Sequence, residues 1–535
     1  MNPEVGVSRP GAVLIGFQDQ GNLGLGYLAS VLSQRGFAVQ TLDFRQGHEA
    51  ILDEIREVGP LLVGFSLIFQ YYLPQFADLV GHLRDNGVNC HFCAGGHFPT
   101  LRNEEVLQFV PGLDSVVRCE GELTLAELME CLAANRDWHG VAGLAYRNNH
   151  QCVTTAPRPL ISDLDELPFP RRPDNNQTIL GKKVAPLLAS RGCARNCSFC
   201  SIRQFYGQAH GRKVRVRNPA RVAEEMRVLH EERGTSIFLF QDDDFPIWGA
   251  FGRRWVEQFI QALHTEDLSG RVIWKISCRA DEVEAELFSR MREAGLYMVY
   301  LGLESGNPTG LRTLNKQLRV EDSLRAVQLL KQLELFVCYG FMMFDPSSTL
   351  ETVRINAQFL RQITGDGSTA ALFCRLLPYA GTPIEERLAA EGRLRGDVVT
   401  PDYDFLDPRL DEFFQRVNEL TSAWIHGPEA LANQINWAWQ EYWIMRRLFP
   451  PLRGLDVYKR FLRSFTCRSN ERLLSLVETV ACVCEADCGW TPSAAQVKIA
   501  NARALKQLLV RRNAFALRNQ TTLLKSLEAD ARRRG

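Results

Sequence analysis

The chain has 535 residues, enough for about two to four domains with substantial buried cores. Hydrophobic residues make up 45% and charged residues 23%, and Lys+Arg balance Asp+Glu at 62 each, so no global charge draws the protein to nucleic acid or to an anionic membrane. Residues 1–16 lack a basic stretch followed by a long apolar one, and apolar runs such as residues 336–344 are too short to span a bilayer, which predicts a cytoplasmic protein with no membrane span.

In chain order, residues 12–16 read as a first strand and residues 24–35 as a helix with apolar residues at helical spacing. A buried strand at 61–66, a helix at 76–85 and a strand at 89–94 follow, the last running into Gly95-Gly96. Such βαβ repetition predicts a parallel, doubly wound sheet over residues 10–150, with any ligand outside the carboxyl ends of its strands. Residues 151–180 hold Pro157, Pro159, Pro168, Pro170 and Pro173 among polar residues and read as a linker. A second βα series occupies 181–395, with strands expected at 184–190, 237–241, 272–277, 298–303, 336–343 and 371–376. Six such strands make a partial (β/α) barrel, whose chemistry belongs at the carboxyl ends. Residues 396–535 read as mostly helical, and Trp424, Trp437, Trp439, Tyr442 and Trp443 read chiefly as core.

The 15 cysteines are scattered through a long chain, which argues against a secreted disulfide scaffold. Two clusters stand out. Cys193, Cys197 and Cys200, at C-x3-C-x2-C spacing just after a barrel strand, can hold three irons of a [4Fe–4S] cluster and leave one iron open for chemistry. A zinc site completed by a distant residue such as His210 is the blander alternative. Cys482, Cys484 and Cys488, with Cys467 as a fourth thiol, match no trusted metal motif, and buried free thiols on a helix are the commoner explanation. Arg511-Arg512 and Arg532-Arg-Arg534 read as solvated faces rather than as a nucleic-acid surface.

The cysteine triplet resembles the signature of the radical S-adenosylmethionine (SAM) superfamily. In that family the open iron chelates SAM, and an electron from the cluster cleaves it to methionine and a 5′-deoxyadenosyl radical. The resemblance places Phe199 near the adenine. It gives Asp243, within Asp242-Asp243-Asp244, to the amino end of SAM, Arg279 to a carboxylate, and Glu304 and Ser305 of a G-x-E-S-G segment to the ribose or methionyl part. One stretch departs from the pattern. Residues 340–349 stand where many relatives have a glycine-rich turn, so Asp345 receives no ligand role.

The amino-terminal frame resembles cobalamin-binding Rossmann-like domains: Asp19-x-Gly21-x-x-Gly24, then Ser66-x-Ile68, then Gly95-Gly96, with residues 94–100 and 119–124 close to stretches of the same group. Gly21 stands where a lower axial histidine would be, which implies cobalamin held base-off with no histidine on cobalt. Glycines let backbone approach a bulky ligand, and Ser66 can hydrogen-bond a nucleotide tail. Together these features identify the chain as a member of the cobalamin-dependent radical SAM enzymes: a Rossmann-like cobalamin-binding domain, a partial (β/α)6 radical SAM barrel and a carboxy-terminal helical domain. The resemblance implies methylation of an unactivated carbon of a small molecule through methylcobalamin and a 5′-deoxyadenosyl radical. A donor such as flavodoxin or ferredoxin would supply electrons. An oxidative cyclase or rearrangement enzyme with the same cofactors is one alternative, a cobalamin-binding sensor without turnover another, and a tRNA-modifying enzyme a third.

Overall fold

The computed structural model describes residues 9–18, 21–149, 151–173, 177–486 and 492–532. The described residues divide into two compact units. The first takes residues up to 176 together with 190–218 and 377–402, and the second takes 177–189, 219–376 and 403 onward.

The first unit is built on a seven-stranded sheet. Its strands are β1 (Arg9–Gly16), β2 (Phe37–Asp43), β3 (Leu62–Ser66), β4 (His91–Gly95), β5 (Ser115–Val117), β6 (Leu144–Asn148) and β7 (Gln151–Thr154), in spatial order β2-β1-β3-β4-β5-β6-β7. The pairs from β2 through β5 are parallel, and β6 and β7 close the far side as an antiparallel hairpin. Continuous apolar runs make the central strands because helices cover both faces. Val13, Ile15, Val63, Phe65 and Phe92 pack with Phe76 and Leu79 of the helix Leu73–Asp85. Sequence periodicity did not predict β2, whose Val39-Gln-Thr stretch is only partly buried at one side of the sheet, nor the β6–β7 hairpin. That hairpin carries the first sheet into the segment expected as linker. Residues 377–402 also join this unit. Ala380 and Val399 enter its core, and the Gln70 carboxamide accepts from the Ala380 N–H and donates to the Val398 carbonyl, both at 2.7 Å.

The second unit holds a half-barrel. After the short β8 (Thr178–Ile179) come β9 (Lys182–Leu187), then β10 (Ser190–Arg191) and β11 (Arg215–Val216), which belong to the first unit. The half-barrel resumes with β12 (Thr235–Phe240), β13 (Ile273–Arg279), β14 (Leu296–Glu304), β15 (Phe336–Phe344) and β16 (Cys374–Arg375). The order β16-β15-β14-β13-β12-β9-β8 gives six parallel strands and one antiparallel edge. These six are the strands read from the sequence. Their outer side packs on helices: Trp274 meets Phe240, Phe245 and Phe259 in largely edge-to-face contacts.

Four helices, Arg409–Ile425, Leu431–Leu448, Leu455–Ala486 and Ala494–Arg532, complete the unit. Trp424, Trp439, Tyr442 and Trp443 are buried among them, whereas Trp437 is exposed. Arg512 forks onto Glu441 at 2.7 and 2.5 Å, so one half of the Arg511-Arg512 pair holds two helices together. Cys467 donates to the Gly365 carbonyl and Cys482 is exposed, while Cys488, Arg533 and Arg534 lie outside the described residues. No helix among the described residues is long and apolar enough to cross a membrane.

Candidate functional site

The carboxyl edge of the first sheet gathers most of the residues expected to meet cobalamin. Parallel register sets Ser66, at the end of β3, beside Gly95, at the end of β4. Gly96 has φ +116°, and a Cβ there would lie 2.4 Å from the Leu67 carbonyl oxygen, so the turn from β4 into the helix His97–Leu101 admits only glycine. Gly95 is different. A Cβ there would meet Val117 at 3.4 Å, an ordinary contact, so the protein's own packing does not demand glycine. Gly24 likewise meets only the Asn22 side chain, at 3.3 Å. Gly21, at φ +76°, donates its N–H to the Gln18 carbonyl at 3.0 Å. Asp19 lies outside the described residues.

Sequence reasoning missed the apolar surface on the loop that leaves β3. Ile68, Phe69 and Tyr71 are 45%, 38% and 39% exposed, and the Phe69 and Tyr71 rings stack at 5.4 Å and 9°. Exposed rings at the ligand-binding edge of a doubly wound sheet suit a large, flat, partly apolar group such as a corrin. The available signal was the run Leu67-Ile-Phe directly after a buried strand.

The same unit carries the cysteine loop. β10 and β11 pair as an antiparallel ribbon that closes the loop at its base. Gly192, at φ +86°, lets the ribbon close, since a Cβ would fall 1.9 Å from the Lys213 carbonyl oxygen. Cys193, Cys197 and Cys200 follow within eight residues, all partly exposed and none in a disulfide; the Arg195 N–H points to Cys193 Sγ at 3.4 Å. Three accessible thiols on one loop are the donor set a [4Fe–4S] cluster needs. Among the described residues no group of three or more His, Cys, Asp or Glu side chains is gathered as around an ion. Phe199 is half-buried on this loop, and His210 is exposed.

A buried charge network anchors the ribbon. Arg191 donates to Glu120 at 2.9 Å and to Glu122 at 2.6 Å, and Arg215 donates to both Glu120 oxygens at 2.9 and 2.7 Å. All four side chains are largely buried. Burial pushes the Glu120 pKa up, but Arg191 and Arg215 together hold it below its ordinary value. Arg191 is raised well above its own ordinary value: Glu122 and Glu120 outweigh the opposing effect of burial. Nearby, the His97 ring stacks on Phe205 at 4.3 Å, and burial depresses its pKa to about 4.

In the second unit the carboxyl edge is dense with polar groups. Asp242 and Asp244 are buried and Asp243 is exposed; Asp242 accepts from the Ala189 N–H at 3.0 Å. Arg279 is 4% exposed. Its guanidinium donates to Asp281 at 3.0 Å and to the Lys316 carbonyl at 2.7 Å. Glu304 sits at φ +63°, a conformation that costs on the order of 1–3 kcal/mol for a non-glycine residue, and accepts from Lys316 Nζ at 3.1 Å. Ser305 is fully buried, its hydroxyl donating to Asn356 and accepting from Asn307. Asp345 organises its own turn instead of a glycine-rich one, accepting from the Ser347 N–H and hydroxyl at 2.8 and 2.6 Å.

Comparison with known proteins agrees with this architecture. The B12 binding domain matches residues 17–129, and the radical SAM superfamily domain matches residues 187–360. An uncharacterized methyltransferase of Pyrococcus horikoshii is 30% identical over 386 residues, covering 70% of this chain and 79% of the relative. The chain belongs to the cobalamin-dependent radical SAM enzymes. Within that family, the anaerobic magnesium-protoporphyrin IX monomethyl ester cyclase of Synechocystis sp. is 30% identical over 323 residues, covering 58% of this chain and 62% of the cyclase. The solved structure of the cobalamin-dependent S-adenosylmethionine radical enzyme OxsB with aqua-cobalamin bound shares the fold. Its TM-score is 0.69 at 16% identity, covering 97% of this chain and 81% of OxsB.

Proposed function

We propose that this radical SAM enzyme is a methyltransferase acting on an unactivated carbon of a small-molecule substrate. The observation that carries the reading is one chain joining a B12-binding module to a C-x3-C-x2-C loop and a half-barrel, with 30% identity over 386 residues to a relative named a methyltransferase. When bound, the cluster supplies the electron that cleaves SAM, and cobalamin carries the methyl group.

The chain's own residues divide the remaining work. Cys193, Cys197 and Cys200 would hold three irons and would leave the fourth open to SAM. Arg191, Arg215, Glu120 and Glu122 fix the base of that loop. Ser66, Gly24, Gly95 and Gly96 clear and line the crevice for cobalamin, with Phe69 and Tyr71 as its apolar floor. Gly21 brings no imidazole, so this position would give cobalt no histidine ligand, and the family resemblance implies that cobalamin would be held base-off. By the family resemblance Phe199 would face the adenine, the exposed Asp243 would take the SAM ammonium group, and Glu304 would take the ribose or methionyl part. Arg279 and Ser305 act by shaping the edge, because their polar groups are already engaged by Asp281, Lys316, Asn307 and Asn356. Electrons come from a protein such as flavodoxin or ferredoxin.

The similarity to the Synechocystis cyclase favours one competing reading, an oxidative cyclisation with the same cofactors. Anaerobic turnover with methyl-labelled SAM against small-molecule pools separates the two. A methyltransferase releases S-adenosylhomocysteine and 5′-deoxyadenosine in equal amounts and leaves label in the product. Substrate consumption with no homocysteine product would replace the methyltransferase by the cyclase.

A further inference from the structure

The concave face of the half-barrel carries a lysine, Lys275, that forms no ion pair among the described residues. Along β13 the alternate residues Trp274, Ile276 and Cys278 are buried on the helix side. Pleating therefore turns Lys275 and Ser277 to the opposite, concave face. Register sets Met298 beside Lys275, Tyr300 beside Ser277, and Cys338 beside Tyr300. Tyr300 is 40% exposed on this face. Gly302 and Gly340 keep the wall low: a Cβ at 340 would lie 2.8 Å from the Tyr300 hydroxyl.

The two lysines of this region differ. Lys316 is paired with Glu304 at 3.1 Å. Lys275 donates to Ser277 Oγ at 2.7 Å and, at a long 3.4 Å, to the Phe240 carbonyl, and its ammonium lies 5.8 Å from the Tyr300 ring centre. Among the described residues it has no ion pair, and its third N–H has no acceptor. Burial pushes its pKa down, against weaker upward pulls from Cys338, Asp242 and Cys278. An ammonium group held in such a place without a carboxylate is a desolvation cost, and a ligand oxyanion would offset it.

We propose that Lys275 recognises an oxyanion of the substrate, so that the barrel interior takes a small molecule bearing a carboxylate or phosphate group. The oxyanion accepts the third N–H of the ammonium, and the Tyr300 ring flanks it. This rests on the reading of the half-barrel as the catalytic domain of a radical SAM enzyme. SAM itself has a carboxylate, so the test must tell the two sources apart.

The full-length, anaerobically reconstituted protein is labelled with an amine-reactive ester, and the modification rate of Lys275 is followed by peptide mass spectrometry. The probes are acetate, inorganic phosphate, chloride at equal ionic strength, and SAM. Acetate or phosphate at roughly tens of millimolar slows labelling about fivefold or more, while chloride and SAM leave it unchanged. No slowing by either oxyanion overturns the proposal, and protection by SAM overturns it by assigning the ammonium to the cofactor. The Lys275→Met variant supplies a second check. A residue kept for a ligand can be replaced with Tm unchanged or raised, whereas a fall of more than about 4 °C would make Lys275 structural and overturn the proposal. Iron content measured in the same samples separates a failure here from a failure of the radical SAM reading.

Discussion

The carboxyl edges of the two sheets are built on opposite plans. The first edge is open: Gly95, where a Cβ would meet only Val117 at ordinary contact distance, exposed Ile68, Phe69 and Tyr71, and a strand-end hydroxyl at Ser66. Its charges lie apart, in the buried Arg191–Glu120–Arg215 network beneath the cysteine loop. The second edge is closed: Arg279, Glu304, Ser305 and Asp345 are buried and bonded to neighbours. An edge can be prepared for a ligand in two ways. Cleared backbone and bare rings suit a large group by shape, whereas a satisfied polar lattice fixes its own side chains in place.

The largest expected effect falls on the buried network, where charge serves structure. Glu120→Ala leaves Arg191 and Arg215 buried with a partner removed and should cost about 3–5 kcal/mol, read as a lowered Tm. A loss near zero would mean that the ribbon is not anchored there.

Adjacent glycines sharpen the contrast within the first edge. Gly96→Ala must distort the turn against the Leu67 carbonyl and should destabilise by about 2–3 kcal/mol. Gly95→Leu should leave Tm nearly unchanged while weakening cobalamin binding, followed by absorbance titration, about tenfold or more. Equal thermal losses in both variants would erase the distinction between a glycine kept for the fold and one kept for the ligand.

The smallest effect concerns protons. His97 has a folded pKa of about 4, below the unfolded value, so the unfolded chain binds the proton more readily. Its contribution to stability is present above the unfolded value, near 6.5, and is lost as pH falls towards 4. Between about pH 7 and pH 5 that loss amounts to about 2 kcal/mol. His91, depressed to about 4 chiefly by burial, adds to the same slope. His97→Gln should flatten the dependence of Tm on pH in this window without abolishing it, and an unchanged slope would show that His97 does not titrate with unfolding.

The half-barrel strands were legible in sequence because buried parallel strands are uninterrupted apolar runs. β2 was not legible, since only Phe37 and Leu42 are buried along it and the residues between carry no strict alternation. The cysteine loop was legible for a chemical reason: its donors are local in sequence. The network beneath it was not, because Glu120 finds Arg191 and Arg215 across 71 and 95 residues. Lys275 escaped notice for a similar reason, as its face on the strand and its lack of an ion pair among the described residues exist only in three dimensions. Ser305 shows the converse limit, where a hydroxyl read as facing a ligand is enclosed by Asn307 and Asn356.

Iron analysis of the Cys193→Ala, Cys197→Ala, Cys200→Ala triple variant tests the cysteine loop as the cluster site most directly. After anaerobic reconstitution the unmodified protein should bind about four irons. The triple variant, folded to the same Tm within a few degrees, should fall to background iron and form no 5′-deoxyadenosine from SAM. Full iron content in that variant would contradict the assignment of the loop as the cluster site.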